Sequence, residues 1–128
     1  RLDDFVEKRR EIAANYDTFF ESSEVANPPL AAKDIIHSYH LYPLQINFET
    51  AKLSRSALFK TMESEGIGLQ VHYIPIHWQS YYQRHYHFDR HQFPNAVQFY
   101  NREVSLPIYP DLKESEQNKV IQALVKHL

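Results

Sequence analysis

Both glycines of this 128-residue chain fall within three positions of each other, in Gly66-Ile67-Gly68. No other residue takes a left-handed backbone conformation without steric cost, so the sharpest change of chain direction is expected here. A helix-spaced run ends at Gly66, whose missing Cβ suits the position that closes a helix. Beyond it, apolar and polar side chains alternate from Leu69 to Ile74. The alternation predicts a strand with Leu69, Val71 and Tyr73 on one face and Gln70, His72 and Ile74 on the other. By that register Tyr73 packs inward and His72 faces a cleft. Pro75 has no N–H for a ladder, so the strand is expected to stop or lie at an edge there, with His77, Trp78, Tyr81 and Tyr82 following on a loop or short turn. So few glycines also exclude the P-loop and the Rossmann fingerprint as phosphate cradles.

The flanking sequence is built mostly from amphipathic helices. Residues 1–22 place Leu2, Phe5, Val6, Ile12, Ala13, Tyr16, Phe19 and Phe20 on one helical stripe, with the charges outside it. Asn27-Pro28-Pro29 marks a loop. From Ile35 to Phe48 a second alternation puts His40, Tyr42, Leu44, Ile46 and Phe48 on one face, and Pro43 argues against a central place in a sheet. Ser54 is the expected cap of a helix that buries Leu58 and Met62. Residues 82–92 read as a loop or loose hairpin, Pro94 as the first turn of the next helix, and Val104–Tyr109 as a short strand. Asp111 and Glu114 have capping-box spacing, and the last helix is expected to bury Val120, Ile121, Leu124, Val125 and Leu128. The order predicts one α+β domain over residues 1–128, a small, mainly antiparallel sheet covered on one face by amphipathic helices, with the other face awaiting a partner.

Composition removes several functions. A formal charge of −2 and a pI near 6.5 offer no basic stripe for nucleic acid. No apolar run approaches the roughly 18–20 residues that span a bilayer. The absence of cysteine removes disulfides and thiolate chemistry and fits the cytoplasm. Eight histidines raise the question of a metal. His85, His87, Asp89 and His91 at strand spacing would share a face, yet nothing in a polar loop fixes their geometry, so no metal site is expected. His37 and His40 would point apart on a strand. Ser38, Ser80 and Ser105 lack a nucleophile-elbow setting, so no catalytic residue is assigned. Polar groups converge in an ordered setting only between Gln70 and His77.

Taken together, Gly66–His77, Phe93-Pro94-Asn95-Ala96 with Phe99-Tyr100, and Ser105-Leu106-Pro107-Ile108-Tyr109-Pro110 resemble the C-terminal part of the DegT/StrS sugar aminotransferases. Arg1-Leu2-Asp3-Asp4-Phe5 with Arg9-Arg10 and Tyr16, His40-Leu41-Tyr42-Pro43, and Arg55 with Leu58-Phe59 extend the resemblance over nearly the whole chain. Within the family the likeness leans toward transaminases of the pseudaminic acid pathway, which aminate a UDP-linked 4-keto sugar with glutamate as donor. The resemblance implies the small domain of a type I aminotransferase fold. It implies pyridoxal phosphate held by a large domain outside this chain, with that domain and a second subunit of a homodimer as partners. No lysine here lies in a setting like the family's cofactor lysine, so the fragment alone is expected to be inactive. It assigns substrate contact to Gln70, Val71, His72, Tyr73 and Ile74, with His77 nearby. The alternative is a free-standing binding module that kept the fold without the chemistry.

Overall fold

In this computed structural model, which describes residues 1–32 and 34–128, helix α1 runs from Leu2 to Phe20 and is followed by strands β1 (Ala26–Asn27) and β2 (Tyr42–Ile46). Helix α2 (Arg55–Ser64), a 3-10 turn (Ile76–Trp78), α3 (Ser80–Tyr86), α4 (Pro94–Arg102), β3 (Glu103–Leu106) and α5 (Glu114–His127) complete the described chain. The strands form one antiparallel sheet in the order β1-β2-β3. This is the expected α+β class.

One face of the sheet makes the core. Tyr42, Leu44 and Ile46 alternate inward with Val104 and Leu106, and they meet Ile12, Ala13, Tyr16 and Phe20 of α1, Leu58 and Met62 of α2, and Val120, Ile121 and Leu124 of α5. The Tyr16 and Tyr42 rings lie 4.9 Å apart. Each phenol reaches a partner, Tyr16 donating to the Pro107 carbonyl at 3.0 Å and Tyr42 to the Asp17 carboxylate at 2.7 Å. Burial, and for Tyr42 the bond to Asp17, pushes both phenols well above the usual tyrosine range. Only half of the predicted α1 stripe is used, since Leu2, Phe5 and Phe19 remain exposed. On α5, Val125 is likewise exposed and Gln117 is buried in its place, bonded to the Ile12 carbonyl at 2.7 Å.

Helix ends follow local chemistry closely. The Ser54 hydroxyl accepts the Ala57 N–H at 3.2 Å. Gly66 has φ +76°, and the N–H groups of Gly66 and Ile67 return to the carbonyls of Glu63 and Met62, a Schellman closure with Ile67 and Met62 both buried. The capping box is displaced by two residues, because Asp111 lies in the turn closed by Leu112 N–H to Tyr109 carbonyl at 3.0 Å. Lys113 takes the cap position, its N–H donating to the Glu116 carboxylate at 3.0 Å.

Three further expectations are corrected. Pro43 sits in the central strand. It pairs with Ser105, whose own N–H and C=O point away to Gln70, so that pairing asks no N–H of Pro43. On the other side β1 reaches only Gln45 and Ile46, so the missing donor is not needed there either. Residues Leu69–Ile74 make no strand ladder, only a single bridge from Gln70 to Ser105. Finally, Ser80–Tyr86 is helical, supported by aromatic pairs at i, i+4, with Tyr81 against His85 at 4.5 Å and Tyr82 against Tyr86 at 5.9 Å.

Candidate ligand-binding strip

Strand β3 places Val104 and Leu106 in the core, so Glu103 and Ser105 share the opposite face. That face is covered as well, for both residues are buried. A buried carboxylate is costly unless its oxygens find donors. Glu103 finds two: one oxygen accepts the His72 N–H at 2.8 Å, and the other accepts the Ser105 hydroxyl. Ser105 Oγ in turn lies 2.8 Å from His72 Nδ1. Two backbone bonds between Gln70 and Ser105, at 2.8 and 3.3 Å, complete the attachment. The segment after Gly68 is therefore fastened to the sheet at Gln70 and His72.

What lies between and beyond these anchors is open. Gln70 is exposed, Val71 and His72 are half-buried, and Tyr73 and Ile74 stand out into solvent, Tyr73 with 70% of its surface accessible. Tyr73 was expected to pack beneath the strand. The alternation that assigned it inward needs a continuous ladder, and here the ladder ends at one bridge. Its ring instead lies edge-on to His72 at 4.6 Å.

His77 is separated from this strip. It is 5% exposed, its Nε2 lies 3.1 Å from the Arg90 carbonyl, and its ring meets Phe93 at 4.9 Å. Trp78 Nε1 donates to the same carbonyl at 2.8 Å, under the Arg90 guanidinium, which sits 4.3 Å from the indole. The Gln83 amide donates to the carbonyls of His77 and Phe88. These bonds fasten the 3-10 turn to the loop that follows α3. Arg55 makes a comparable fastening, donating to the Tyr100 carbonyl in the last turn of α4 and lying 4.6 Å from the Tyr100 ring centre.

The histidine-rich stretch does not converge. His85 belongs to α3, His87 ends it with φ 50°, and Asp89 accepts the N–H of His91 in a turn. Among the described residues no group of three or more His, Cys, Asp or Glu side chains is placed to hold a metal ion. A cavity of about 530 Å³ lies between Asn47–Glu49 and α4 and includes His91 and Arg102. Two others of about 330 Å³ flank Tyr39. Among the described residues, no lysine lines any of the three.

The sequence singled out His72 but not its supports. Ser105 enters the sequence reading as a nucleophile candidate and as part of the Ser105–Pro110 motif, and Glu103 does not enter it. The available signal was a polar pair at i, i+2 in an otherwise apolar strand, which places a carboxyl and a hydroxyl side by side on one face.

Residues 1–125 match the DegT/DnrJ/EryC1/StrS aminotransferase family. The chain is 38% identical over 125 residues to the spore coat polysaccharide biosynthesis protein SpsC of Bacillus subtilis, an alignment covering 97% of this chain and 32% of that protein. Among solved structures, Helicobacter pylori PseC, an aminotransferase involved in pseudoaminic acid biosynthesis, superposes with TM-score 0.85 at 27% identity, over 96% of this chain and 32% of that one. S. venezuelae DesV, solved in complex with a ketimine intermediate, gives TM-score 0.86 at 25% identity over 97% and 32%. The chain thus spans about a third of the length of the proteins it matches.

Proposed function

The chain belongs to the DegT/DnrJ/EryC1/StrS aminotransferase family, and from that premise we propose that it serves as the C-terminal small domain of a pyridoxal-phosphate-dependent enzyme that aminates a 4-keto sugar nucleotide. Its small antiparallel sheet flanked by helices is the architecture of that small domain in type I aminotransferases. The observation that carries the reading is the strip itself, pinned to β3 at Gln70 and His72 while Tyr73 and Ile74 face outward. Gln70, Val71, His72, Tyr73 and Ile74 line the sugar-nucleotide side of the cleft, and His77 holds the turn that shapes its edge.

Pyridoxal phosphate, when bound, supplies the electron sink for amino transfer. It needs a lysine amine aimed into a cavity and an acid against its pyridine nitrogen, and among the described residues no lysine lines the three cavities above. The described lining of these cavities does not make a seat for it. In this reading the cofactor belongs to a large domain beyond this chain, and the strip closes over it in a homodimer in the cytoplasm.

The substrate in this reading is the UDP-linked 4-keto sugar that yields UDP-4-amino-4,6-dideoxy-N-acetyl-β-L-altrosamine. Glutamate gives its amino group and leaves as 2-oxoglutarate, whose new keto oxygen comes from water, while the keto oxygen of the sugar leaves as water, so that no water is gained or lost overall. The likeness to PseC supports this choice. The test is sugar-dependent release of 2-oxoglutarate by a polypeptide carrying this chain behind a lysine-bearing large domain, beside borohydride treatment of the chain alone with the cofactor. Release in the first and no pyridoxyl adduct in the second are expected. Absence of release, or an adduct on Lys52 or Lys60 of the isolated chain, overturns the reading.

A further inference from the structure

Between Glu103, Ser105 and His72 there is one hydroxyl hydrogen and one imidazole hydrogen to place. An ionised carboxyl only accepts, and Glu103 has one oxygen on the His72 N–H and the other on the Ser105 hydroxyl. A serine hydroxyl has a single hydrogen, so once it is given to Glu103, Ser105 Oγ can only accept across the 2.8 Å contact to His72 Nδ1. The imidazole hydrogen is thereby held on Nδ1. In a neutral ring the other nitrogen is then an acceptor. His72 Nε2 has no hydrogen-bond partner among the described residues, and it is not buried, since the one buried side-chain polar atom left without a partner among them is Gln45 Nε2.

From this geometry we infer that Glu103 and Ser105 are positioning residues that fix the tautomer of His72, so that its Nε2 faces the open strip as a hydrogen-bond acceptor. The group it takes is a donor, a sugar hydroxyl or an amide N–H, rather than a phosphate oxygen, which would need a hydrogen from the ring. That substrate assignment rests on the aminotransferase reading. The tautomer does not, because it is a property of the chain without ligand. The opposite arrangement is also chemically complete: a protonated Glu103 would donate to Ser105, Ser105 to Nδ1, and Nε2 would carry the hydrogen. Carboxyls are ordinarily ionised near neutral pH, and the His72 N–H is a donor to this one in either arrangement, which selects the first.

Nitrogen-15 NMR of the imidazole rings in the 128-residue chain, at a pH where the ring is neutral, distinguishes the two. The expected spectrum has His72 Nδ1 pyrrole-like and Nε2 pyridine-like. Glu103→Gln sharpens the test. The amide oxygen must face the His72 N–H, so the NH2 faces Ser105 and donates to it; the serine hydrogen turns to Nδ1, and the ring inverts to the Nε2–H form. A structural role for Glu103 alone would not invert it. Ser105→Ala, which removes the link without a new donor, should abolish the preference for Nδ1–H, and it decides the matter if Glu103→Gln does not fold. A pyridine-like Nδ1 in the unsubstituted chain, an unchanged tautomer in folded Glu103→Gln, or an unchanged tautomer in Ser105→Ala overturns the inference. Failure of sugar amination leaves this measurement untouched, so the two readings fail separately.

Discussion

The β2–β3 ladder and the segment from Leu69 to Trp78 are neighbours, joined by one bridge at Ser105, yet they are held in different ways. In the ladder, Tyr42, Leu44, Val104 and Leu106 each combine a strand pairing with a buried side chain. In the segment, Gln70 supplies one bridge and His72 hangs from a glutamate, while Tyr73, Ile74 and Ile76 are exposed. The first arrangement ties stability to burial. The second separates them: as far as Ile74 the backbone is fixed at Gln70 and His72, and the Tyr73 and Ile74 side chains stay free to meet something else, before His77 and Trp78 are held again at the Arg90 carbonyl.

The widest expected contrast is between substitutions of similar size in the two regions. Leu44 is fully buried, and Leu44→Ala should cost about 2–5 kcal/mol, a large part of the roughly 5–15 kcal/mol that holds a typical domain. Tyr73→Ala should change stability by no more than about 0.5 kcal/mol. Denaturant melts of both variants measure this directly. A melt of Tyr73→Ala that falls as far as that of Leu44→Ala would erase the distinction.

A smaller effect comes from pH and belongs to the ladder side alone. Burial raises the Tyr16 and Tyr42 phenols above the ordinary value of about 10, Tyr42 further through its bond to Asp17. Above that ordinary value the unfolded chain loses these protons before the folded one does. Stability from them is therefore complete below about pH 10 and declines as pH rises toward the raised values. Melting temperature followed into alkali should fall, and Tyr42→Phe should flatten the decline. An alkaline profile that is the same with and without Tyr42 would remove this phenol from the account.

The same contrast explains what the sequence disclosed. Tyr42, Leu44 and Ile46 were readable because alternation is meaningful where a ladder exists, and Ser54, Gly66 and Pro94 because caps and turns are set by neighbouring residues. The segment from Leu69 to Ile74 shows the same alternation, but its register depends on Ser105, a distant partner that offers one bridge only. His77 read as part of a binding rim, since nothing nearby announced that the Arg90 carbonyl and Phe93 would enclose it. Leu2, Phe5 and Phe19 belong to the α1 stripe in sequence but remain exposed.

Amide hydrogen exchange along residues 70–74 tests most directly whether this segment is a suspended strip rather than a strand. Gln70 and His72 donate to Ser105 and Glu103, and no hydrogen bond satisfies the N–H groups of Val71, Tyr73 and Ile74 among the described residues. The account predicts slow exchange at Gln70 and His72, fast exchange at the other three, and loss of protection at His72 alone in Glu103→Ala. Continuous protection from Gln70 to Ile74, or a His72 amide that exchanges as fast as its neighbours, would contradict it.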